Sequence, residues 1–426
     1  MIWFLILSPF LAIAQGKGVT FEHGLTWQEV LQKAKQENKY IFVDCYATWC
    51  GPCKWMDKNI YPVDSVGTLM NGKFISVRVQ MDTVKQDNSE TRQWYPIAHS
   101  FEEKYHVWSY PGFLFFSPDG QAIHKGVGEK DINGFLSMAE AALDPQQQYY
   151  TLLADYRKGI LIDRLMPVLA NEAGVLGQDS ISTEVSRHYI HHYLETQPEA
   201  QLWTKDNIVF IQTYSSVVNI GYKIFQLFYQ NRATIDSVMQ NEHFSADLIN
   251  NIIYRDEVKS RVDFAVLANA EPNWHQLEKA ISKQYTEVYA KKNVLRGRVE
   301  YYKLTKKWSK YTKYLIEEKE INGIEHVQPG QAAFVDLNNC AFEVFEYSRN
   351  RKELEKALSW VNQSINMMAR PFPEEMDTKA NLLYKLGRKA EGLSLEEKSV
   401  SLAPGDKEIA ANYEKMKHGL PTWPAE

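Results

Sequence analysis

The feature that most constrains this chain is a pair of cysteines placed where a strand passes into a helix. Residues 42–54, FVDCYATWCGPCK, predict a buried strand over residues 41–46, a tight turn, and a helix that begins at Cys50 and Cys53. The first turn of a helix has unpaired backbone N–H groups and carries partial positive charge, which stabilises a thiolate. The pattern therefore indicates that Cys50 attacks a disulfide and that Cys53 then resolves the mixed disulfide.

The same spacing also occurs in half of a zinc site and in purely structural disulfides. A structural zinc site needs four ligands, whereas the other cysteines, Cys45 and Cys340, are far apart and no histidine pair closely follows the motif. A redox pair is the favoured interpretation because the cysteines lie between a strand and a helix. His188, His191 and His192 have a helical spacing that could bind a metal, but few acids are adjacent and we expect no metal there.

Residues 49–54, WCGPCK, resemble the active site of the thioredoxin family, and the resemblance extends over residues 19–143. Asp44, six residues before Cys50, matches the buried acid of that family. Tyr110 and Pro111 precede the apolar strand 113–116 and match its cis-proline site. The resemblance implies an α/β thioredoxin fold, with a central mixed sheet flanked by helices, and a dithiol/disulfide cycle without a cofactor.

Asp44 is an ionisable residue in an otherwise apolar strand. Such a group costs free energy unless it has a role or is satisfied as a turn or cap residue. Burial should raise its pKa and suit it to proton transfer. The resemblance implies that Asp44 takes the proton from Cys53 and that Arg78 stands where the family often has a lysine. Cys45 should point to the opposite face of the sheet as a small buried hydrophobe.

The resemblance also implies a set of substrate-binding residues, Trp49, Tyr110 and Pro111. The Tyr110–Pro111 bond is expected to be cis, with its loop facing the cysteines. Trp108 could join Trp49 and Tyr110 in an apolar rim around the thiols, although aromatic side chains are as often part of a core. Gly112 departs from the family, in which many members have threonine at this position.

The first fourteen residues are almost wholly apolar and end in Ala12-Ile13-Ala14. This small-x-small pattern predicts a signal peptide over residues 1–14, cleaved before Gln15. No Lys or Arg precedes the apolar run, so an uncleaved anchor remains the alternative. We expect an exported protein, periplasmic in location, with no membrane span in the mature chain.

Local patterns predict the elements of a thioredoxin-like domain over residues 19–143. Thr26 and Glu29 form a capping box for a helix that ends near Glu37. The other predictions are an edge strand over 19–22, a strand over 74–81, and helices over 97–105 and 131–143. Residues 83–95 are polar and form either a variable loop, which we favour, or a cap on one side of the site. Residues 144–148 form the linker.

From residue 149 onwards, apolar residues recur at helical spacing. We expect a helical region over 149–330 and tetratricopeptide-like helical repeats over 331–417. The repeat resemblance depends on residues 380–387 and 390–402, followed by Pro404, with a weaker copy over 337–365; Gly392 stands where alanine is expected. Predicted helices cover residues 149–157, 182–196, 204–219, 220–231, 235–240, 245–254, 260–268, 274–292, 295–314 and 332–347. Cys340 should lie in a helix core.

Composition excludes one further class of function. The net charge is −5 without a long basic run, so the sequence does not favour nucleic-acid binding. The leading hypothesis is an exported thiol–disulfide oxidoreductase that reduces or isomerises disulfides of protein substrates. A membrane thiol electron donor would supply it, and the helical module would dock partners. The alternatives are a client-binding or scaffold protein and a sensor of redox state.

Overall fold

The computed structural model describes residues 18–323, 333–367, 370 and 372–424. The predicted signal peptide, residues 1–14, lies outside the described residues. The described chain divides into two compact units. The first runs to Leu202 and includes Val209–Val217, and the second comprises Trp203–Ile208 and the chain from Val218 onwards. The domain boundaries at 143, 149 and 331 stay predictions.

A four-stranded mixed sheet organises the first unit. Its strands are β1 Tyr40–Tyr46, β2 Phe74–Gln80, β3 Gly112–Phe116 and β4 Ala122–Val127. They lie in the order β2-β1-β3-β4, with β1 parallel to β2 and β3 antiparallel to β1 and β4. This confirms the predicted α/β fold with a central mixed sheet. β1 is a central strand with five consecutive buried residues, as its apolar run indicates.

Helices cover the sheet, and several begin at side-chain caps. They are α1 Trp27–Glu37, α2 Gly51–Asn59, α3 Asp64–Lys73, α4 Ser89–Gln93, α5 Tyr95–Tyr105, α6 Ile132–Ala141, α7 Tyr149–Arg157, α8 Met166–Val175, α9 Asp179–His188 and α10 Glu199–Leu202. The predicted capping box is present, because Thr26 accepts from the Glu29 amide and Glu29 accepts from the Thr26 amide. The predicted helices α5 and α6 are confirmed, with small differences at their ends.

The predicted edge strand over residues 19–22 is wrong. Only Phe21 pairs with β2, through one parallel bridge to Ser76. The Val19 amide donates instead to the Tyr61 carbonyl at 2.7 Å, which directs this segment towards the end of α2. The segment therefore crosses the sheet edge at one point.

The sheet separates two apolar cores. On one face Ile41, Val43 and Cys45 of β1 pack with residues of α1 and α5. On the other face Phe42 of β1 packs with residues of α2, α3 and α6. Cys45 is fully buried in the first of these cores and forms no disulfide. Its predicted place on the face opposite Asp44 is confirmed.

The predicted linker, residues 144–148, leads directly to α7 on the edge strand β4. The Gln148 side chain donates to the Ala142 carbonyl at 2.9 Å. The next amide, that of Tyr149, donates to His124 Nδ1 of β4 at 3.1 Å. Because His124 accepts this bond while buried, its ring is held neutral, and burial lowers its pKa to about 4.

Beyond β4 the described residues contain helices and no strand, as predicted. The helices that follow α10 are α11 Lys205–Thr213, α12 Lys223–Gln230, α13 Arg232–Met239, α14 Phe244–Ile253, α15 Ser260–Leu267, α16 Trp274–Ser282, α17 Glu287–Leu304, α18 Trp308–Asn322, α19 Ala333–Tyr347, α20 Arg351–Asn366, α21 Pro373–Lys385, α22 Lys389–Leu402 and α23 Lys407–Lys417. None of the helices in the described residues is both long and apolar enough to cross a membrane.

Several of the predicted helices have wrong boundaries, among them the helix predicted over 204–219, which ends as α11 at Thr213. The helix predicted over 274–292 is interrupted between α16 and α17, because the Thr286 side chain caps α17 by accepting from the Tyr289 amide. The helix predicted over 295–314 is interrupted between α17 and α18, where Lys306 adopts a left-handed conformation with φ of 54°. Helix α8 was not predicted from the sequence.

Gly392 allows a close approach between α21 and α22. A Cβ atom at this position would lie 2.8 Å from the Ala380 carbonyl oxygen and 3.0 Å from Tyr384 Cβ. The alanine expected from a tetratricopeptide pattern would therefore require a shift of the backbone. The assignment of these helices to that repeat family stays a prediction.

Candidate active site

The two cysteines of the motif lie at the start of α2 and form a disulfide. Cys50 is the N-cap residue, with an extended backbone, and its Sγ accepts from the Cys53 amide at 3.0 Å. Pro52, which has no N–H to leave unpaired, occupies the first turn. The local sequence therefore directs an N-terminal amide of the helix at the Cys50 sulfur, where it would also stabilise a thiolate.

Neither cysteine of the disulfide has more than 3% of its surface exposed. Cys50 and Cys53 pack with Ala47, Tyr46 and Tyr110. In the oxidised state, exposure does not distinguish Cys50, the predicted attacking residue, from Cys53. Their order of reaction must follow from their positions on the helix.

Trp49 and Tyr110 form an aromatic edge beside the disulfide. Trp49 is 70% exposed and meets the Tyr110 ring edge-on, with 5.9 Å between ring centroids. Trp108, the third member of the predicted rim, is 69% exposed and packs on His106 at 4.9 Å. Exposed aromatic rings of this kind provide apolar area for a peptide partner.

Asp44 is buried in β1, the strand that leads to the cysteines, and is paired with Arg78. The two residues are register partners on β1 and β2, and Arg78 Nε lies 3.0 Å from Asp44 Oδ2. The second arm of Arg78 contacts Asp57 of α2, one turn after Cys53, at 3.0 Å. Arg78 therefore links Asp44 to the helix that carries the cysteines.

Burial determines the acidity of Asp44. It raises the pKa to about 6, while the Arg78 charge offsets part of the rise. Asp44 Oδ1 has no hydrogen-bond partner among the described residues. A carboxyl group with this pKa can both accept and release a proton near neutral pH.

The loop after Pro111 has the predicted cis peptide bond. The Tyr110–Pro111 bond is cis, and the Pro111 carbonyl accepts from the Gly128 amide at 2.8 Å. Gly112 pairs with Cys45, and a Cβ atom there would lie 2.7 Å from Val107 Cγ1. Packing against Val107 therefore explains why glycine replaces the threonine of many family members.

Asp82 is a structural residue of the site whose role the sequence analysis missed. Its carboxylate accepts from the Thr48 amide at 3.0 Å and from the Thr48 hydroxyl. These bonds fix the turn between β1 and the cysteines. An acid directly after β2 and a threonine in the motif loop were the available signals, but their contact spans 34 residues.

The polar segment 83–95 folds back on the end of β2. The Asp87 carboxylate accepts from the Gln80 side chain, the Val84 amide and the Tyr95 hydroxyl. The segment includes the short helix α4, so the predicted variable loop is partly helical.

Two of the histidines with a metal-ligand spacing, His188 and His191, contact other groups of the protein. His191 contacts Glu195 at 3.0 Å and the Val217 carbonyl at 3.1 Å, while His188 faces the Tyr156 hydroxyl at 3.3 Å. The described residues contain no group of three or more His, Cys, Asp or Glu side chains that could hold a metal ion. Cys340 is buried in α19, as predicted, and burial raises its thiol pKa to about 12.

Comparison with known proteins assigns the first part of the chain. A family model described as a thioredoxin-like domain matches residues 27–143. Thioredoxin Y2 of Arabidopsis thaliana is 31% identical over 137 residues, which cover 32% of this chain and 68% of that protein. Through this domain the chain belongs to the thioredoxin family, and the domain is of the thiol–disulfide oxidoreductase type.

The chain spans less than two thirds of the length of two other curated relatives. The thiol:disulfide interchange protein DsbD 2 of Pseudomonas aeruginosa is 29% identical over 113 residues, covering 26% of this chain and 17% of that protein. Thioredoxin Y of Oryza sativa is 28% identical over 130 residues, covering 30% of this chain and 63% of that protein. A solution structure of a proposed disulphide isomerase from Bacteroides thetaiotaomicron is 29% identical, with a TM-score of 0.26, and covers 31% of this chain and 98% of that one.

Proposed function

We propose that this protein is an exported thiol–disulfide oxidoreductase that reduces or isomerises disulfides of protein substrates. The observation that carries the proposal is the Cys50–Cys53 disulfide at the start of α2, with the Cys53 amide directed at Cys50 Sγ. A thiolate at Cys50 would receive the same bond and the favourable field of the helix terminus.

The reaction transfers two electrons through one mixed disulfide. The Cys50 thiolate attacks one sulfur of the substrate disulfide and releases the other as a thiolate. The Cys53 thiolate then attacks Cys50 Sγ, breaks the mixed disulfide and releases the second substrate thiolate. The substrate gains two electrons and, after protonation, two protons, while the enzyme retains the Cys50–Cys53 disulfide. Isomerisation uses the first step and its reverse at another substrate cysteine.

Asp44 would promote the second step as a general base. Cys53 must lose its proton before it can attack, and Asp44 is held against the same helix through the Arg78–Asp57 bridge. A pKa of about 6 leaves Asp44 ionised at neutral pH but able to bind the proton during the step. Its unpaired Oδ1 is the atom available for this transfer, directly or through one water molecule.

Trp49, Tyr110 and Pro111 would hold the substrate. Trp49 offers an exposed ring beside Cys50, and Tyr110 packs on the disulfide itself. The cis-proline loop lies directly before the first residue of β3, so a substrate segment can run along it with its cysteine above Cys50.

Reduction in an oxidising compartment requires a supply of electrons. The resemblance of the Gly-Pro pair between the cysteines to reducing members favours reduction or isomerisation. A membrane thiol protein is the proposed donor, and the match to thiol:disulfide interchange proteins named DsbD supports exchange of electrons between thiol proteins. The donor would reduce Cys50–Cys53 by the same exchange chemistry.

Reduction of insulin disulfides tests the proposal. We expect turnover by the wild type with dithiothreitol as the donor, and loss of turnover in both Cys50→Ser and Cys53→Ser. Cys53→Ser should accumulate a mixed disulfide with insulin through Cys50, detectable by mass spectrometry. Full activity of a variant with both Cys50→Ser and Cys53→Ser would contradict the proposal.

A docking role for the helical unit has separate support. Phe264 and Leu267 of α15 are 72% and 86% exposed. Phe264 lines a cavity of about 530 Å³ together with Leu277 and Pro272. Exposed apolar side chains beside a cavity are typical of a partner-binding surface. We infer that this surface docks client proteins.

The full-length Cys50→Ser/Cys53→Ser variant isolates that role from thiol chemistry. It should retain a reduced and unfolded client in a pull-down assay, and Phe264→Ser with Leu267→Ser should weaken retention. Equal retention with and without the two α15 substitutions would contradict docking at this surface and would leave the oxidoreductase proposal unaffected.

A further inference from the structure

A cavity of about 180 Å³ lies beside the cis-proline loop and has a wall from outside the thioredoxin domain. Val107 and Trp108 contribute from the segment before the cis-proline, and Val127 contributes from the end of β4. Leu176 and Gln178, in the turn between α8 and α9, complete it. The family match ends at residue 143, so the last wall belongs to the helical extension of this chain.

The cis-proline loop runs from the disulfide site to the cavity. Tyr110 packs on the Cys50–Cys53 disulfide, and Gly112, two residues later, lines the cavity. Val127 is the register partner of Gly112, and the next amide, that of Gly128, donates to the Pro111 carbonyl. A substrate segment that crosses the cis-proline loop therefore passes the cavity within a few residues of its reacting cysteine.

The chemistry of the walls selects an aliphatic side chain. Trp108, Val107, Val127 and Leu176 supply apolar surface. The polar side chains of the lining are His106, Ser109, Gln178 and Lys125, and the Lys125 ammonium, 6% exposed, already donates to the Tyr105 carbonyl at 3.0 Å. The cavity has the volume of about six water molecules, whose release by one apolar side chain is favourable.

We propose that this cavity is a specificity subsite for an aliphatic side chain, such as leucine or methionine, that flanks the target cysteine of a protein substrate. The proposal rests on the proposed function of the Cys50–Cys53 pair. The helical extension thereby determines which disulfides the thioredoxin domain attacks, because Leu176 closes a subsite that the domain alone lacks.

A peptide series provides the test. Each peptide has one cysteine in disulfide linkage to thionitrobenzoate, and leucine, serine or glutamate is placed in turn at each of three positions on either side. The reduced full-length protein, present in excess, attacks the peptide sulfur once and releases coloured thionitrobenzoate, which gives the second-order rate constant of the exchange. We expect leucine to exceed serine and glutamate by about tenfold at one position, as expected for partial burial of an aliphatic side chain.

Two variants should remove this preference by opposite means. Leu176→Ser removes apolar wall, and Gln178→Trp fills the cavity; both should reduce the leucine preference to about twofold or less. Val175→Ser is the matched control, because Val175 precedes Leu176, is 67% exposed and does not line this cavity. It should retain the full preference. Thermal unfolding of each variant checks the fold.

The outcomes separate the two proposals. If the wild type releases thionitrobenzoate from every peptide at one rate, or prefers glutamate, the subsite is wrong and the oxidoreductase remains. An unchanged leucine preference in both Leu176→Ser and Gln178→Trp also contradicts the subsite. If the wild type reacts with neither the peptides nor insulin, the proposed function itself fails.

Discussion

Each of the two units buries a carboxyl group, and the two groups differ in their neighbours. Asp44, in the sheet of the first unit, is 1% exposed and has Arg78 at 3.0 Å. Glu396, in α22 of the second unit, is fully buried beside another acid, Asp377 of α21. Burial raises the pKa of Asp44 to about 6 and that of Glu396, with the added charge of Asp377, to about 10.

The difference between the two pKa values shows how a buried acid can stay ionised at neutral pH. Desolvation acts on both groups, and the neighbouring charge decides the outcome. Glu396 remains protonated at neutral pH and serves packing in the helical unit. Asp44 is ionised at neutral pH with a pKa close enough to exchange protons, because Arg78 compensates part of its desolvation. The cation beside Asp44 thus favours its ionised form, whereas the acid beside Glu396 favours the protonated form.

The largest expected effect on the free energy of unfolding is that of Glu396, the buried acid beside Asp377. Since the folded pKa of Glu396 exceeds the ordinary value of 4.5, folding loses stability as pH rises from 4.5 towards 10. Glu396→Gln removes this loss and should raise the free energy of unfolding by about 3 kcal/mol at pH 7, but by less than about 1 kcal/mol at pH 5. Urea unfolding at both pH values measures it.

The matched control is Glu397→Gln, which changes the exposed neighbour of Glu396. It should leave the stability at each pH unchanged. An equal gain at pH 5 and pH 7 for Glu396→Gln would show that the effect is packing and not ionisation.

His124, a buried base, extends the comparison because burial lowers its pKa, whereas burial raises the pKa of the two acids. The folded pKa of His124 is about 4, below its ordinary value of 6.5, so the unfolded state binds the proton first. Stability should therefore fall as pH decreases from 6.5 to 4, by about 3 kcal/mol from this group. His124→Gln, which can still accept from Tyr149, should reduce the loss measured between pH 7 and pH 4.5. The exposed His99→Gln variant should show the wild-type loss, and the same loss in His124→Gln would refute the assignment.

Asp44→Asn should raise the stability of the protein and lower its activity. The folded pKa of about 6 lies above the ordinary 3.8, so the ionised carboxylate destabilises the fold at neutral pH. The variant should gain about 2 kcal/mol at pH 7, after allowance for the lost Arg78 pair, and none below pH 4. Insulin reduction should slow about a hundredfold at pH 7, because Cys53 loses its base.

Asp57→Asn serves as the control for Asp44→Asn. It also removes a carboxylate from Arg78, but from the partly exposed side of the bridge. Its activity should remain within about threefold of wild type, as expected for a surface pair. If Asp57→Asn were as slow as Asp44→Asn, the bridge itself and not the base would account for the rate.

Removal of the Arg78 charge should raise the pKa of Asp44 towards that of Glu396. In Arg78→Gln the pKa of Asp44 should rise, which moves the acid limb of the pH–rate profile about one pH unit higher. Arg78→Lys retains the charge and should shift the limb by less. An unchanged profile in Arg78→Gln would contradict the role assigned to this pair.

Local sequence patterns were sufficient for the parts of the site that are contiguous in the chain. The strand β1, the helix start at Cys50 and the capping box at Thr26 depend on neighbouring residues, and all were predicted. The Asp44–Arg78 pair and the cis bond before Pro111 were expected through the family resemblance and are present.

Contacts between distant residues could not be read from the sequence. The bonds of Asp82 to Thr48 and the burial of Glu396 beside Asp377 depend on packing between separate elements. The cavity wall at Leu176 depends on α8, whose weak periodicity gave no signal. Breaks at Thr286 and Lys306 were missed because apolar spacing continues across them.

The central claim is that Cys50, at the start of α2, is the attacking thiolate and that Cys53 lies behind it. Alkylation of the reduced protein with iodoacetamide at pH 6.5, followed over time by mass spectrometry, tests this most directly. The account predicts modification at Cys50 before Cys53, at a rate at least about tenfold that of glutathione. Modification of Cys53 first, or a rate no greater than that of glutathione, would contradict it.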